Sequence, residues 1–327
     1  MPTQPENPKD SLPDVVIPAV ETRGLTKRFG SRVAVDEVDL TVPQATAFGF
    51  LGPNGAGKTT LIRTLLGLTH ATSGTVSLLG HSIPRDRAVA LRRVGAIVEE
   101  PRFHLHLTGR ENLQVVAAAR EREAEGRITR ALARVGLAAR ADERVASYSM
   151  GMRQRLGIAR CLLADPLLLI LDEPMNGLDP AGMEEFRQMI EALVEEGRTV
   201  FLSSHLIDEV EKTCERIAII DQGRILMQGL LTEIARSGPP RMHVRCDPVD
   251  GAAHLVSAHP GVSEARSSDG ALMLVLAAQS GLEADRITAE LVHLLVEGGV
   301  SVFTVEPERV SLEERFLAMT SRLERAP

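Results

Sequence analysis

Gly52-Pro53-Asn54-Gly55-Ala56-Gly57-Lys58-Thr59-Thr60 fits the pattern G-x-x-x-x-G-K-[ST] letter for letter. The stretch before it, Ala47-Phe48-Gly49-Phe50-Leu51, is a short apolar run that reads as a buried strand. After it, Thr60 to Leu68 carries apolar residues on a helical period. A strand, a glycine loop and a helix N-terminus together make an anion cradle. Glycine lets consecutive backbone N–H groups turn inward, and the helix dipole favours phosphate. In such a cradle Lys58 reaches the β- and γ-phosphates of a nucleoside triphosphate, and the Thr59 hydroxyl binds Mg²⁺. The alternative is an accidental glycine-rich turn, and the flanking strand and helix weigh against it.

The 327 residues are enough for two domains with proper cores. Apolar residues make up 44% and charged residues 25%, as in an ordinary globular protein. A net charge of −7 without a long basic run excludes non-specific nucleic-acid binding as the expected activity, since phosphate neutralisation needs clustered Lys and Arg. Cys161, Cys214 and Cys246 are few, odd in number and far apart. They predict small buried residues in a reduced, cytoplasmic setting rather than a disulfide framework or a cysteine metal site. No apolar stretch reaches the roughly 18 residues that a membrane span needs. Met1 to Pro18, rich in Pro, Asp and Glu, reads as a disordered leader without a signal core.

Outward from the loop, Val20–Leu25 and Val33–Val42 alternate like half-buried strands, with Leu25 to Gly30 read as the turn between them. Thr75–Leu79 and Val94–Val98 read as further strands. Thr108-Gly109-Arg110-Glu111 is a capping box that opens a helical block. Pro166 introduces the wholly apolar run Leu167 to Leu171, suited to a parallel strand buried on both faces. Glu184–Glu196, Thr199–Ser203, Ile207–Thr213, Ile217–Ile220 and Arg224–Gln228 continue the alternation of helices and strands, which predicts an α/β domain. The expected organisation is a leader over 1–18, a nucleotide-binding domain over 19–236 with a helical subdomain at about 101–164, and an accessory domain over 241–327. Ser237-Gly238-Pro239-Pro240 is the linker between the two domains. Beyond it, strand–helix–strand–strand–helix–strand is the order of a ferredoxin-like α+β module, closed by an amphipathic helix over Ser311 to Arg322.

The apolar strand ends in Asp172-Glu173, with Pro174 fixing the turn after them. An Asp at such a strand end approaches the Mg²⁺ of a phosphate loop, and a Glu one residue on can polarise an attacking water as general base. Two solvated acids capping a strand are the plainer alternative.

With these residues in place the chain resembles the ATP-binding-cassette family over nearly all of residues 20 to 230. Tyr148 to Arg155 is similar to the family's signature segment, LSGGQ-x-QR. Ser149, Gly151, Gln154 and Arg155 match it, while Met150 and Met152 replace a Gly and a Gln. That substituted form resembles the bacterial drug- and antibiotic-export branch. The resemblance implies that Ser149 and Gly151 bind ATP held by a second copy. A helix N-terminus after Ser149 suits an anion in any case. It further implies that Gly177 to Pro180 is the loop communicating across the dimer, that His205 contacts the γ-phosphate, and that Phe29 stacks on adenine. A core phenylalanine is the competing reading of Phe29.

Glu99 stands where most cassettes carry a Gln that touches Mg²⁺ and the water, or Glu100 does if the register shifts by one. Glu there resembles self-immunity cassettes against lantibiotic or bacitracin-like peptides. His104 and His106 lack a third metal ligand, and the resemblance implies that Phe103-His104-Leu105-His106 faces the membrane partner. The implied protein is an ATP-hydrolysing subunit, with ATP and Mg²⁺, working with a second nucleotide-binding subunit and integral membrane permease chains. It would sit at the inner face of the cell membrane. A soluble cassette ATPase acting in DNA repair, chromosome organisation or translation is the rival, and the acidic balance argues against it.

Overall fold

The computed structural model describes residues 17–121, 123–236, 239–268, 271–278, 280–308, 312–314 and 316. The chain divides into two compact units, Met1–Gly229 and Leu230–Pro327. Most of the leader and most of the closing helix expected over Ser311 to Arg322 lie outside the described residues.

In the first unit the strands are β1 (Val20–Phe29), β2 (Arg32–Val42), β3 (Ala47–Leu51), β4 (Ser73–Leu78), β5 (His81–Ile83), β6 (Val94–Ile97), β7 (Leu168–Asp172), β8 (Thr199–Ser204), β9 (Arg216–Asp221) and β10 (Arg224–Leu230). Its helices are α1 (Lys58–Leu65), α2 (Arg87–Arg92), α3 (Gly109–Ala118), α4 (Glu123–Gly126), α5 (Ile128–Arg134), α6 (Met150–Leu162), α7 (Pro180–Glu195) and α8 (Ile207–Thr213).

A six-stranded sheet in the order β10-β9-β3-β8-β7-β6 carries the loop from Gly52 to Thr60 at the end of β3. Its pairs β3/β8, β3/β9, β7/β8 and β6/β7 are parallel. Every residue of β3, β7 and β8 is buried, as strands covered on both faces should be. Phe201 of β8 packs on Phe48 and Phe50 of β3, with ring centroids 5.9 and 5.5 Å apart. The pairs Leu51↔Ser204 and Asp172↔Ser203 bring the carboxyl ends of all three strands to one edge.

The second sheet is antiparallel, in the order β2-β1-β4-β5. Here the structure corrects the turn expected over Leu25 to Gly30. The register shifts beside Gly24, whose φ is +53°, and pairing with β2 resumes from Leu25↔Val38 to Phe29↔Arg32. A bulge absorbs the glycine instead of ending the strand. The true turn is at Gly30-Ser31, so Phe29 ends a strand.

The helical block α3–α6 begins with the expected capping box: Thr108 Oγ1 accepts from Glu111 N, and Glu111 Oε2 accepts from Thr108 N. Buried Asn112 then ties down the segment before it, accepting from His104 N and donating to the carbonyls of His104 and Thr108. Cys161 and Cys214 sit in this unit as buried apolar groups, and burial pushes the Cys161 thiol up to about 11.

In the second unit α9 (Leu231–Arg236) precedes β11 (Arg241–Asp247), α10 (Val249–Ser257), β12 (Val262–Ser268), β13 (Ala271–Leu276), α11 (Gly281–Glu297) and β14 (Ser301–Glu308). The antiparallel sheet runs β12-β13-β11-β14, as in a ferredoxin-like module. Met242, Val244 and Cys246 of β11 share a core with Ala252 and Val256 of α10 and with Ile287, Leu291 and Leu295 of α11. Among the described residues, no helix is long and apolar enough to cross a membrane.

Candidate functional site

The loop after β3 and the start of α1 form one wall of the site. Gly57, with φ +110°, is the N-cap of α1, and a Cβ there would meet the Ala34 carbonyl oxygen. Only a glycine fits so close to a neighbouring backbone. The loop is braced from behind by the β9–β10 turn, where Gly223 N donates to Ala56 O (2.9 Å) and Asp36 N donates to Gly223 O (2.8 Å). Arg224 fixes that turn by pairing with Asp36 at 2.6 Å. Both contacts span residues more than a hundred positions apart, and no local pattern announces them.

The ends of β7 and β8 form the opposite wall. Thr59 Oγ1 donates to Asp172 Oδ2 (2.8 Å), and Ser203 Oγ donates to Asp172 Oδ1 (2.5 Å), so both carboxylate oxygens of Asp172 are engaged. Glu173 N in turn donates to Ser203 Oγ (3.0 Å). Ser203, buried on β8, therefore holds the two acids together, and the sequence reading missed this role. Its sequence position at the end of the β8 strand, two residues before His205, was the available signal.

Glu173 has a left-handed backbone (φ +47°), which aims its side chain across the cleft. There its Oε1 lies 3.1 Å from Lys58 Nζ, and its Oε2 lies 2.9 Å from His205 Nδ1. A carboxylate only accepts, so the second bond places a proton on Nδ1. Lys58 also donates to the carbonyls of Gly52 (2.5 Å) and Pro53 (3.2 Å) and is buried. Lys58, Glu173 and His205 thus form one continuous polar chain, with Thr59 and Asp172 beside it.

Phe29, Pro53, Asn54, Gly55, Gly57, Lys58, Thr59 and Thr60 line one cleft together with Glu173. Phe29 is 53% exposed, so it is not a core residue, and Lys27 Nζ sits 4.7 Å from its ring centre. Gly52 and Ala56 are buried in the loop backbone beneath. Ser149 and Gly151 do not line this cleft. Ser149 caps α6, its Oγ accepting from Met152 N (3.2 Å), and Gly151 packs beside Leu178.

Glu99 lines a neighbouring cleft with Thr59, Asp172, Glu173, Met150 and Gln154. Its carboxylate is not joined to Thr59 or Asp172 but to Arg63 of α1, at 2.6 Å. Its φ is +61°. Glu100 lines the same cleft. For Mg²⁺, a hydroxyl and a carboxylate 2.8 Å apart are hard oxygen donors of the kind it takes, with the remaining positions left to water and substrate phosphates. No cluster of three His, Cys, Asp or Glu suited to a metal exists among the described residues, which leaves Thr59 and Asp172 as the fitting pair.

Comparison with known proteins agrees with this geometry. Residues 35–176 match the ABC transporter family. A bacitracin transport ATP-binding protein of Bacillus licheniformis is 37% identical over 303 residues, which cover 92% of this chain and 96% of that one. A daunorubicin resistance ATP-binding protein of Streptomyces coeruleorubidus is 33% identical over 308 residues, with coverage of 92% and 96%. A solved ATP-binding subunit of an ABC transporter superposes with a TM-score of 0.60 at 29% identity, covering 67% of this chain and 92% of that one. The chain belongs to the ABC transporter family, among its ATP-binding subunits.

Proposed function

We propose that this chain hydrolyses ATP to power export through a membrane permease carried on separate chains. The carrying observation is the polar chain Lys58–Glu173–His205 with the Thr59–Asp172 pair beside it. In this reading the loop from Gly52 to Thr60 cradles the triphosphate and Phe29 packs on the adenine. Lys58 leaves Glu173 for the β- and γ-phosphates. Freed of Lys58, the Glu173 carboxylate takes a proton from water as the water oxygen attacks the γ-phosphorus and the bond to the ADP oxygen breaks. His205, oriented through Nδ1 by Glu173, turns Nε2 toward the phosphate. Thr59 and Asp172 would hold Mg²⁺, which when bound neutralises phosphate charge. Glu99 would join that shell only after release from Arg63.

Ser149 and Gly151 are proposed to close over ATP bound to a second copy, since they stand outside this chain's own phosphate cleft. Closing and opening of that pair would drive the permease through the helical block and the His104–His106 segment. The cargo is proposed to be a drug or an antibiotic peptide, in keeping with the names of the relatives, or else a lipid-like compound. The protein would then act at the inner face of the membrane, held there by the permease. The test is co-purification from membranes with a small integral membrane protein, together with ATPase assays. Lys58→Ala is expected to weaken ATP binding and stop hydrolysis. Hydrolysis unaffected by that change, or a chain found only with soluble partners, would overturn the proposal.

A further inference from the structure

The end of the first unit's main sheet opposite the nucleotide cleft concentrates arginine in a way the ATPase reading does not use. Arg127, Arg130 and Arg134 recur at three- and four-residue spacing along and just before α5, which sets them on one face. With Arg198, at the start of β8, they line a cavity of about 190 Å³ whose apolar lining includes Ala131, Leu162 and Leu193. Among the described residues two carboxylates, Asp165 and Glu196, line it as well. Four guanidinium groups against two carboxylates leave a net charge of +2, in a chain whose total is −7.

The carboxylates are already spoken for. Asp165 accepts from Arg198 (3.0 Å) and from Arg93 (3.1 Å), and Glu196 pairs with Arg134 (2.5 Å) and Arg198 (3.3 Å). Arg127 spends one bond on the Leu163 carbonyl (2.9 Å). Arg130 is exposed at the rim and makes no ion pair among the described residues. The adjoining cavity shares Arg127 and Asp165 and, among the described residues, adds Arg92, Arg93 and Arg120 against one further acid, Glu121. Burial raises the Asp165 carboxyl, but the hydrogen bond from Arg198 and the charges of Arg198, Arg93 and Arg127 outweigh it and hold the group below its ordinary value.

We infer that this arginine-lined cavity binds a multiply charged phosphate-bearing anion, at a site separate from the ATP cleft. Guanidinium forks meet phosphate oxygens in pairs, and a partly enclosed cavity with an apolar lining strengthens each such bond. The same chemistry is offered by a free polyphosphate and by an anionic lipid headgroup.

The test uses the full chain carrying Lys58→Ala, which weakens the nucleotide loop, and reads binding of inorganic tripolyphosphate by calorimetry. Saturable binding is expected, weakened about tenfold by Arg130→Ala and further by Arg130→Ala with Arg134→Ala. Arg130→Ala in the otherwise unchanged chain is expected to leave the thermal midpoint without anion, and the basal ATPase rate, unaltered. A parallel flotation assay compares vesicles of phosphatidylglycerol with vesicles of phosphatidylcholine alone. Recruitment to the former that Arg130→Ala abolishes assigns the site to a headgroup, and tripolyphosphate binding without recruitment assigns it to a free anion. No binding in either assay, or binding indifferent to Arg130→Ala, overturns the inference.

Discussion

Replacing Glu173 by Gln separates two jobs that the structure gives to one carboxylate. A glutamine keeps the shape but cannot take a proton from water, so kcat is expected to fall by about 10²–10⁴-fold. The second effect has the opposite sign. In the structure Glu173 Oε1 lies 3.1 Å from Lys58 Nζ, with side chains 20% and 6% exposed, so ATP must displace this pair to reach the lysine. A hydrogen bond to a charged group is worth about 1.5–3 kcal/mol. Lys58 stays charged beside a glutamine, so only the part owed to the acceptor's own charge is lost, roughly a third to a half of it. The substitution therefore releases roughly 1 kcal/mol of competition for Lys58, about fivefold in affinity. Binding of a non-hydrolysable ATP analogue, measured by calorimetry in both proteins, is expected to tighten by about that factor. With ATP the variant is expected to elute as a stable dimer. A kcat within twofold of the original would refute Glu173 as the base. An unchanged affinity would refute the competition between Glu173 and phosphate for Lys58.

Two further changes probe the scaffold. Phe201→Ala removes a fully buried ring packed against Phe48 and Phe50 and is expected to cost about 3–5 kcal/mol. In a unit of this size that lowers the thermal midpoint by about 6–20 °C, readable by calorimetry; a shift under 2 °C would contradict the packing described. Gly57→Ala puts a side chain at φ +110° against the Ala34 carbonyl, at a cost of about 1–3 kcal/mol or more. It is expected to abolish ATP binding, and wild-type titration curves would contradict the close approach.

What the sequence made legible was whatever is local and periodic. Leu168 to Asp172, an unbroken apolar run ended by acids, reads as a central strand and is one. The capping box at Thr108 and the βαββαβ order of the second unit are equally local signals. The helix read from Glu184 in fact starts at Pro180, where Asp179 Oδ1 accepts from Gly182 N. Its first turn begins Pro180-Ala181-Gly182, small residues that carry no strong apolar signal, so apolar periodicity does not reach it, although a capping Asp followed by Pro is itself a start signal. The short elements β5 and α2 lack enough residues for a period to show. Within the candidate site, the loop and the two acids were readable from spacing. The bonds of Ser203 to Asp172, of Arg63 to Glu99 and of the Gly223 turn to the loop join distant segments, and only the folded register creates them.

The backbone of Glu173 carries a consequence of its own. Residues other than glycine held at positive φ store about 1–3 kcal/mol, and both Glu173 (+47°) and Glu99 (+61°) are so held. Glycine or asparagine at either position would relax that strain, a gain set at Glu173 against the loss of its pair with buried Lys58. A selection for heat resistance that relieved this strain through Glu173→Asn would enrich chains that no longer turn over ATP. At this position robustness and turnover pull in opposite directions, and any effort to harden the protein has to exempt it.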